Sequence, residues 1–196
     1  MNTPAPRPPG RPRSDASREA ILDAAYWQTI ERGYGVVTPD SIARAAGAGK
    51  QTLYRWWPGK AAIVLDALAQ KTRARIDRPM EAAIRSGDLP GFLQASFAAL
   101  TTVGPALRCL IAEAQNDADI LDGFRRHFVE PRRDGLRRVL ELRVASPAER
   151  ETWVEAIDGA IWSRLLLGER LDNAFAAALA AIAPGNASAR RGVDWR

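Results

Sequence analysis

The chain has 196 residues, a net charge of +5, and a composition that is 46% hydrophobic and 26% charged, which is ordinary for a globular protein. No apolar run reaches the length needed to span a bilayer, and the basic N-terminus lacks the apolar segment of a secretory signal. The single cysteine, Cys109, excludes an intrachain disulfide and fits a reducing cytosol, so these totals favour a cytoplasmic protein with one sizeable domain, or with a small domain joined to a larger one.

The positive charge is concentrated in the N-terminal part of the chain. Residues 1–80 contain 13 Lys and Arg against 7 Asp and Glu, a net charge of +6, whereas residues 81–196 contain 15 against 16, a net charge of −1. This asymmetry favours a polyanionic partner for the N-terminal part. A solvated basic surface is the alternative that charge alone leaves open.

The predicted elements are helices throughout, because no segment shows the alternation of polar and apolar residues that a strand requires. Residues 1–14 are rich in Pro and Arg and are predicted to form a flexible basic arm. A first helix is expected over 16–32. Thr38 followed by Pro39 is typical of a helix start, and the glycine-containing stretch 47–49 is expected to end the short helix that follows.

A second short helix is expected over 50–57, and a longer one from Lys60 to the neighbourhood of Pro79. Helices of the C-terminal part are predicted at 89–103, 105–115, 118–143, 147–167 and 172–183, with a kink at Pro131 in the third of them. Residues 184–196 are predicted to be a loose tail. The expected fold class is therefore all-α.

Two short helices joined by a tight glycine-containing turn form a helix-turn-helix, and residues 38–57 have this organisation. Their spacing directs four residues towards the first and fourth helices: Ile42, Ala46, Leu53 and Trp57. The second short helix then presents polar side chains outward, namely Lys50, Gln51, Thr52, Tyr54 and Arg55, while Trp56 is expected to be partly exposed. Such a helix fits the DNA major groove, so DNA contact is favoured over a merely solvated face.

Residues 10–70 resemble the DNA-binding domain of the tetracycline-repressor (TetR) family. The resemblance is carried by REAILDAA, ERGY and TPDSIARAAGAGKQTLYRWWPGKAAIVLDAL, above all by the spacing from Thr38 through Tyr54 to Lys60. The later stretches AEAQNDADILDGFRRHFVEPRRDGLRRVLE and SRLLLGERLDNAFAAAL resemble the regulatory domain of the family. The resemblance implies a three-helix DNA-binding domain over 15–60 and a helical ligand-binding and dimerisation domain over 61–183.

The resemblance also implies roles for nine side chains at DNA. The implied phosphate contacts are Thr38, Tyr54, Trp56 and Lys60. The residues implied to lie in or beside the major groove are Lys50, Gln51, Thr52 and Arg55, and Arg44 would reach a phosphate or a base. Gly49 stands where the family usually has a capping serine, and Trp56 stands where histidine is common.

The C-terminal part is expected to hold a ligand and to form a dimer. The predicted pocket residues are Phe97, Cys109, Glu113, Asn116, Phe124, Phe128 and Trp162, with ordinary core packing as the alternative for the aromatic ones. The last two helices are expected to pair with their twofold mates through Trp162, Leu165, Leu166, Leu167, Phe175 and Leu179. Cys109 is interpreted as a small buried hydrophobe in preference to a redox sensor, because its neighbours are apolar.

The expected function is that of a one-component transcriptional regulator, foremost a repressor, which binds a near-palindromic operator as a homodimer and is released by a small molecule. The alternatives are a ligand-independent or activating regulator of the same fold and, more distantly, a helical protein-binding adaptor. An enzyme is not expected, because HExxH, phosphate-loop, GxSxG and dinucleotide patterns are absent from the sequence. No catalytic residue, metal or cofactor is expected, since His127 and Cys109 are the only residues of their kinds.

Overall fold

The computed structural model describes residues 13–184, and every regular element within this range is helical. The protein is therefore all-α, as the sequence predicts. Its helices form two compact units, which divide between Ala67 and Leu68 inside the fourth helix. Residues 1–12 of the predicted arm and residues 185–196 of the predicted tail lie outside the described residues.

The first unit contains three helices and the beginning of a fourth. The helices are α1 (Arg13–Arg32), α2 (Pro39–Ala45), α3 (Lys50–Trp56) and the start of α4 (Lys60–Ser86), and a 3-10 turn, Tyr34–Val36, precedes α2. Because α1 begins at Arg13, the last two residues of the predicted arm belong to this helix. α1 packs against both α2 and α3, and the buried residues of these three helices include Ile21, Leu22, Ala25, Tyr26, Ile42 and Leu53.

The second unit is organised around one long helix. Beyond α4 the helices are α5 (Leu89–Ala114), α6 (Ala118–Phe124), α7 (Glu130–Glu141), α8 (Pro147–Leu167) and α9 (Asn173–Ile182). α5 packs against α6, α7, α8 and α9, and α7 also packs against α8. Buried residues recur along the whole of α5. α5 is therefore the central helix of this unit.

By length and composition α5 could also cross a membrane, so the expectation that no segment is long enough is wrong. The reason is that Pro105 does not divide the segment, which carries only Arg108 and Glu113 as charged residues. Half of its most apolar window is buried inside the protein. The apolar character of α5 is accounted for by its central position among other helices.

Two prolines that were expected to interrupt the helical pattern lie inside helices. Pro79 is within α4, and Pro105 is within α5, which is one helix where the sequence predicts two. A proline in a helix interior costs about 3 kcal/mol, since it removes a hydrogen bond and clashes with the preceding turn. Around Pro105 the side chains of Val103, Ala106 and Leu107 are all buried, and their burial outweighs this cost.

The helix predicted over 118–143 is interrupted close to Pro131, where a kink was expected. A π-helical turn, Arg125–Val129, separates α6 from α7, and the amide of Glu130 donates to the carbonyl of Arg125. A proline ring clashes with the carbonyl four residues before it, and one wider turn accommodates that clash. The interruption therefore follows from the proline that the sequence singles out.

α8 begins and ends where the sequence predicts. Ser146 caps the helix by accepting a hydrogen bond from the amide of Glu149, and Pro147 occupies the first turn. Gly168 follows the last helical residue with a φ of 74°, a left-handed conformation that glycine adopts without a steric penalty. Local sequence therefore fixes both ends of this helix.

A cluster of three charged residues, Arg132, Arg133 and Asp158, lies between α7 and α8 and is called here the buried charge cluster. Asp158 has no exposed surface, and Arg132 is 6% exposed. Oδ1 of Asp158 accepts from Nε of Arg132 at 2.8 Å and also from its Nη2, and Oδ2 accepts from Nε of Arg133 at 2.8 Å. Buried charges need such partners, because desolvation is costly when a charge is left uncompensated.

We expect Asp158→Ala to lower the free energy of unfolding by about 3–5 kcal/mol, because the buried guanidinium of Arg132 would lose the carboxylate that compensates its charge. Urea unfolding followed by circular dichroism measures the loss. Asp122→Ala is the control, since Asp122 forms a surface pair with Arg126 and its side chain is 69% exposed. That change should cost less than about 1 kcal/mol. Equal losses in the two variants would contradict the stabilising role of the cluster.

Candidate functional site

α2 starts at a capping box. Thr38 is the N-cap, and its Oγ1 accepts a hydrogen bond from the amide of Ser41 at 3.1 Å. In return, the amide of Thr38 donates to Oγ of Ser41, also at 3.1 Å. Pro39 takes the first helical position, where no amide hydrogen is required. The helix start predicted at Thr38 and Pro39 is therefore confirmed.

The turn between α2 and α3 depends on a glycine. Gly47 has a φ of 61°, and the amide of Ala48 donates to the carbonyl of Ala43 at 2.9 Å. Residues with a side chain rarely adopt this left-handed conformation. Gly49 then precedes α3 as an N-cap that contributes no side-chain hydrogen bond. The predicted break at 47–49 is confirmed, and α3 begins at Lys50.

The inward face of α3 anchors it within the first unit. Leu53 is fully buried, and Trp57, which directly follows the helix, is 4% exposed. Nε1 of Trp57 donates to Oδ2 of Asp66 at 2.8 Å, and the guanidinium of Arg18 pairs with the same oxygen at 3.3 Å. Arg18 also lies over the Trp57 ring, 5.5 Å from its centroid. The predicted inward orientation of Leu53 and Trp57 is confirmed.

The other side of α3 is polar and open to solvent. Its exposed residues are Lys50, Gln51, Tyr54, Arg55 and Trp56, and Thr52 is half-buried. Tyr54 is 51% exposed and Trp56 is 39% exposed. The guanidinium of Arg55 lies 5.7 Å from the Trp56 ring centroid. The structure therefore brings the predicted DNA-contact residues of α3 together on its solvent side.

Lys50 is held by a residue of the preceding helix. Its Nζ lies 2.7 Å from Oδ2 of Asp40, a pair that joins the beginning of α2 to the beginning of α3. The hydrogen bond and the negative charge of Asp40 raise the pKa of Lys50 above its ordinary value, so the lysine is fully charged at neutral pH. Both side chains are more than half exposed, and salt therefore screens their attraction.

Lys60 and Arg44, the remaining two predicted basic contacts, differ in their surroundings. Nζ of Lys60 lies 3.4 Å from the carbonyl oxygen of Tyr34 and 4.0 Å from the centroid of the Tyr34 ring. This cation–π contact positions the half-buried lysine beside the 3-10 turn. Arg44 lies exposed on α2.

Two side chains that shape this surface are absent from the sequence-based prediction. Nε2 of Gln28 on α1 donates to the carbonyl of Ser41 at 3.0 Å and so ties α1 to α2. Asp40 holds Lys50 in place. Gln28 stands where an amphipathic helix is expected to carry an apolar residue. Its polar side chain at that position is the feature from which a structural role could have been predicted. The role of Asp40 could not be predicted from the sequence, because acidic residues are common in the first turn of any helix.

The second unit contains a cavity of about 430 Å³, lined by α4, α5, the π turn and α7. Its apolar wall includes Ile76, Met80, Ile84, Ala99, Leu100 and Phe128, and its polar wall includes Thr72, Arg73, Asp77, His127, Arg132 and Arg138. This volume lies within the range of small-molecule sites. Glu81 and Arg138, which both line the cavity, pair at 3.0 Å, and the guanidinium lowers the pKa of Glu81.

Of the predicted pocket residues, only Phe128 lines this cavity. Phe97 is 3% exposed and stacks on Phe175 of α9, with 5.6 Å between the ring centroids. Phe124 is buried, with the rings of Phe128 and Trp162 at 5.8 Å and 5.2 Å. These other aromatic residues form core contacts, which is the alternative that the sequence left open.

The polar members of the predicted pocket lie on the surface. Cys109, Glu113 and Asn116 are all exposed. The interpretation of Cys109 as a buried hydrophobe is wrong. Leu107 and Leu110, three residues apart, face the core, and the helical period places Cys109 outside the stripe that they define.

The six predicted dimer residues fall into three pairs by burial. Leu165 and Leu179 are 4% and 5% exposed and already belong to the core of the unit. Trp162 and Phe175 are half-buried. Leu166 and Leu167 are 44% and 73% exposed. The two exposed leucines are therefore the members of this set that are most available to a partner.

Two short helices joined by a tight turn, the second anchored on one side and polar on the other, define a helix-turn-helix DNA-binding domain. Residues 21–67 match the family described as bacterial regulatory proteins, tetR family, and residues 85–183 match the tetracyclin repressor-like C-terminal domain. The chain belongs to the TetR family of transcriptional regulators, which are not enzymes.

Individual relatives agree with this assignment. The HTH-type transcriptional regulator YdeS of Bacillus subtilis is 30% identical over 178 residues, which cover 85% of this chain and 87% of YdeS. The DNA-binding transcriptional repressor TetR of Mycobacteroides abscessus is 28% identical over 172 residues, covering 83% of this chain and 89% of its own. The crystal structure of the TetR family regulator SCO0332 has a TM-score of 0.68 at 30% identity, covering 83% of this chain and 93% of that one.

The two adjacent tryptophans of this site should differ in their contribution to stability. We expect Trp57→Phe to lower the free energy of unfolding by about 1.5–3 kcal/mol, because it removes a hydrogen bond from the indole to the Asp66 carboxylate. Trp56→Phe is the matched control and should change it by less than about 0.5 kcal/mol, since Trp56 is partly exposed. Urea unfolding compares the two variants, and a larger loss at Trp56 would refute the assignment of Trp57 as the anchor.

Proposed function

We propose that this TetR-family regulator is a one-component repressor, which binds a near-palindromic operator as a homodimer and is released by a small molecule bound in the second unit. The observation that supports the DNA-binding surface most directly is α3 itself. Leu53 and Trp57 anchor its inner side, and polar side chains occupy its outer side. Because bacterial DNA lies in the cytoplasm, the protein acts in that compartment.

The proposed contacts in the major groove come from α3, three of them from its first turn. Lys50, Gln51, Thr52 and Arg55 supply the side-chain types that bind base edges, where Gln pairs with adenine and Lys or Arg with guanine. The N-terminal residues of a recognition helix are the ones that approach the bases. Gln51 is therefore the strongest candidate for base recognition. Lys50 would reach the groove from the position in which Asp40 holds it.

The proposed phosphate contacts surround this helix. Tyr54 and Trp56 are exposed and carry an O–H and an N–H donor, and Thr38 exposes its capping hydroxyl. Lys60 uses one donor on the Tyr34 carbonyl and retains two for a phosphate oxygen. Arg44 provides a further charge from α2. Contacts of this kind fix the register of the protein on DNA without reading sequence.

Lys60→Ala should weaken binding to operator and to unrelated DNA by the same factor, because the proposed contact is with phosphate. The slope of log K against log salt concentration should fall by about 0.9 for each lysine removed. Fluorescence anisotropy over a range of salt concentrations measures both quantities. Gln51→Ala is the contrasting variant and should relax preference at defined operator positions in a binding-site selection. A changed preference in Lys60→Ala would contradict the phosphate role.

The proposed dimer surface is formed by α8 and α9. Both helices expose small or apolar residues to solvent: Ala156, Gly159, Leu166 and Leu167 on α8, and Ala174, Ala177, Ala178, Ala181 and Ile182 on α9. Ile182 alone is 66% exposed. Small side chains allow helices to approach closely, and a second copy would bury this apolar surface. A twofold dimer would place two α3 helices in successive major grooves about 34–36 Å apart.

Leu166→Glu should convert the dimer to monomers, because a carboxylate would have to be desolvated within an apolar interface. Multi-angle light scattering measures the molecular mass. Leu142→Glu is the matched control, since Leu142 is 68% exposed near the end of α7 and outside the proposed surface. It should leave the dimer intact. If Leu166→Glu stays dimeric at micromolar concentration, α8 does not form the interface through this residue.

The cavity of the second unit is the proposed effector site. It is lined on one side by α4, which continues without a break from Lys60 to Ser86. A ligand that binds one arrangement of the dimer more tightly shifts the population towards it, and operator affinity falls by the corresponding factor. An activating or ligand-independent regulator is the alternative. The cavity favours the ligand-dependent form, because a ligand-independent regulator has no need of an internal volume of this size.

A further inference from the structure

The electrostatic character of the cavity is set by the buried charge cluster. Two guanidinium groups, those of Arg132 and Arg133, share the single carboxylate of Asp158. The cluster therefore carries one excess positive charge. Asp158 is completely buried and Arg132 nearly so, and charges in such positions are little screened by solvent. Because the side chain of Arg133 is 36% exposed, solvent screens part of this excess charge. The group of the cluster that an anion in the cavity would meet is the guanidinium of Arg132.

Arg132 is the member of the cluster that reaches the cavity. It lies in the cavity wall, whereas Arg133 and Asp158 do not. Asp158 accepts from Nε and Nη2 of Arg132, so Nη1 lies outside this ion pair. Burial lowers the pKa of Arg132, and Asp158 offsets that effect only in part. The guanidinium nevertheless stays protonated at physiological pH, and its Nη1 is the donor that Asp158 leaves unengaged.

The acidic residues of the cavity wall do not supply the missing negative charge. Glu81 is paired with Arg138, and Asp134 is paired with Arg137. Asp77 is exposed on α4. Since these carboxylates are partly exposed, solvent and salt weaken their influence on a buried group. Glu81 and Asp134 are thus paired with other arginines and not with Arg132.

Thr72, Arg73, Ser96 and His127 also line the cavity, and most of the other lining residues are apolar. Ile76, Met80, Ile84, Leu100 and Phe128 line the same volume of about 430 Å³. A cavity with one buried cation and an extensive apolar wall complements a molecule that has one acidic group and an apolar body. Taking the cavity as the effector site of the proposed function, we infer that its ligand is a small amphipathic carboxylic acid, whose carboxylate binds the guanidinium of Arg132.

This assignment also suggests how the ligand acts on the dimer. Arg132 belongs to α7, and its guanidinium contacts two residues of α8: the Asp158 carboxylate and the ring of Trp162, whose centroid is 4.6 Å from the guanidinium carbon. α8 carries part of the proposed dimer surface. A ligand carboxylate would compete with Asp158 for the same guanidinium. Binding in the cavity would therefore alter the contact that holds α7 to the dimer helix.

The charge preference can be tested with three probes that share one apolar chain: decanoate, decan-1-ol and decylammonium. Isothermal titration calorimetry on the full chain, below the micelle concentration of each probe, measures their affinities. We expect decanoate to bind on the order of tenfold more tightly than decanol, or better, and decylammonium more weakly than either. Equal binding of decanoate and decanol, preference for decylammonium, or binding of none of the three would overturn the inference.

Two variants locate the binding. Arg132→Gln removes the excess charge but leaves Asp158 paired with Arg133, so the ratio of decanoate to decanol affinity should fall to about one while decanol binding persists. Arg126→Gln is the control, since Arg126 forms a surface pair with Asp122 and both residues lie outside the cavity wall, and it should preserve the preference. Met80→Trp leaves the cluster intact and should weaken decanoate and decanol alike by filling the cavity. If Arg132→Gln does not fold, Met80→Trp and the three probes still test whether the cavity binds a carboxylic acid.

Operator binding, followed by anisotropy on the same preparations, separates this inference from the proposed function. If decanoate binds with the expected preference and operator affinity does not change, the acid-binding site stands and the proposed release mechanism fails. If decanol or decylammonium releases the operator more effectively than decanoate, the release mechanism stands and the assignment of an acidic ligand fails.

Discussion

The DNA-binding surface depends on one constraint, the anchoring of a helix that is too short to be stable alone. α3 has seven residues, fewer than an isolated helix needs in water. Leu53 and Trp57 are buried, and the Trp57 indole reaches the same carboxylate oxygen of Asp66 as Arg18. Because this side of α3 is fixed, the opposite side is fixed as well, and the polar residues from Lys50 to Arg55 gain a defined orientation.

In the second unit a buried ion pair holds two helices together, as the burial of Leu53 and Trp57 holds α3 in the first unit. Arg132 and Asp158 join α7 to α8 where solvent is excluded, so their attraction is strong and the penalty for separating them is large. The pair of Glu81 and Arg138, with both side chains about half exposed, stabilises the fold much less. The packing of α7 on α8 is therefore more sensitive to the loss of the contact between Arg132 and Asp158 than to the loss of the pair at the cavity rim.

Sequence-based reasoning succeeds where structure is determined by near neighbours along the chain. Thr38 with Pro39 starts α2 as expected, and α8 starts at residue 147 as predicted, with Ser146 as its cap. In both cases the cap and its amide partner are three residues apart. It fails at Pro105 and Cys109. At Pro105 the burial of residues on both sides outweighs the local penalty, and at Cys109 the helical period places an apolar residue on the surface. The predicted pocket shares only Phe128 with the cavity, because aromatic side chains pack against one another as readily as around a ligand.

The sequence by itself determined the all-α class, the positions of the two short helices, and the family, since periodicity, capping residues and motif spacing are properties of the linear chain. Only the tertiary structure decided which charges are buried and which side chains meet. Arg132 and Asp158 are 26 residues apart, and nothing in either neighbourhood separates them from the many exposed arginines and aspartates of this chain. Their pairing arises when α7 packs on α8, because burial and proximity between distant residues exist only after the helices have assembled.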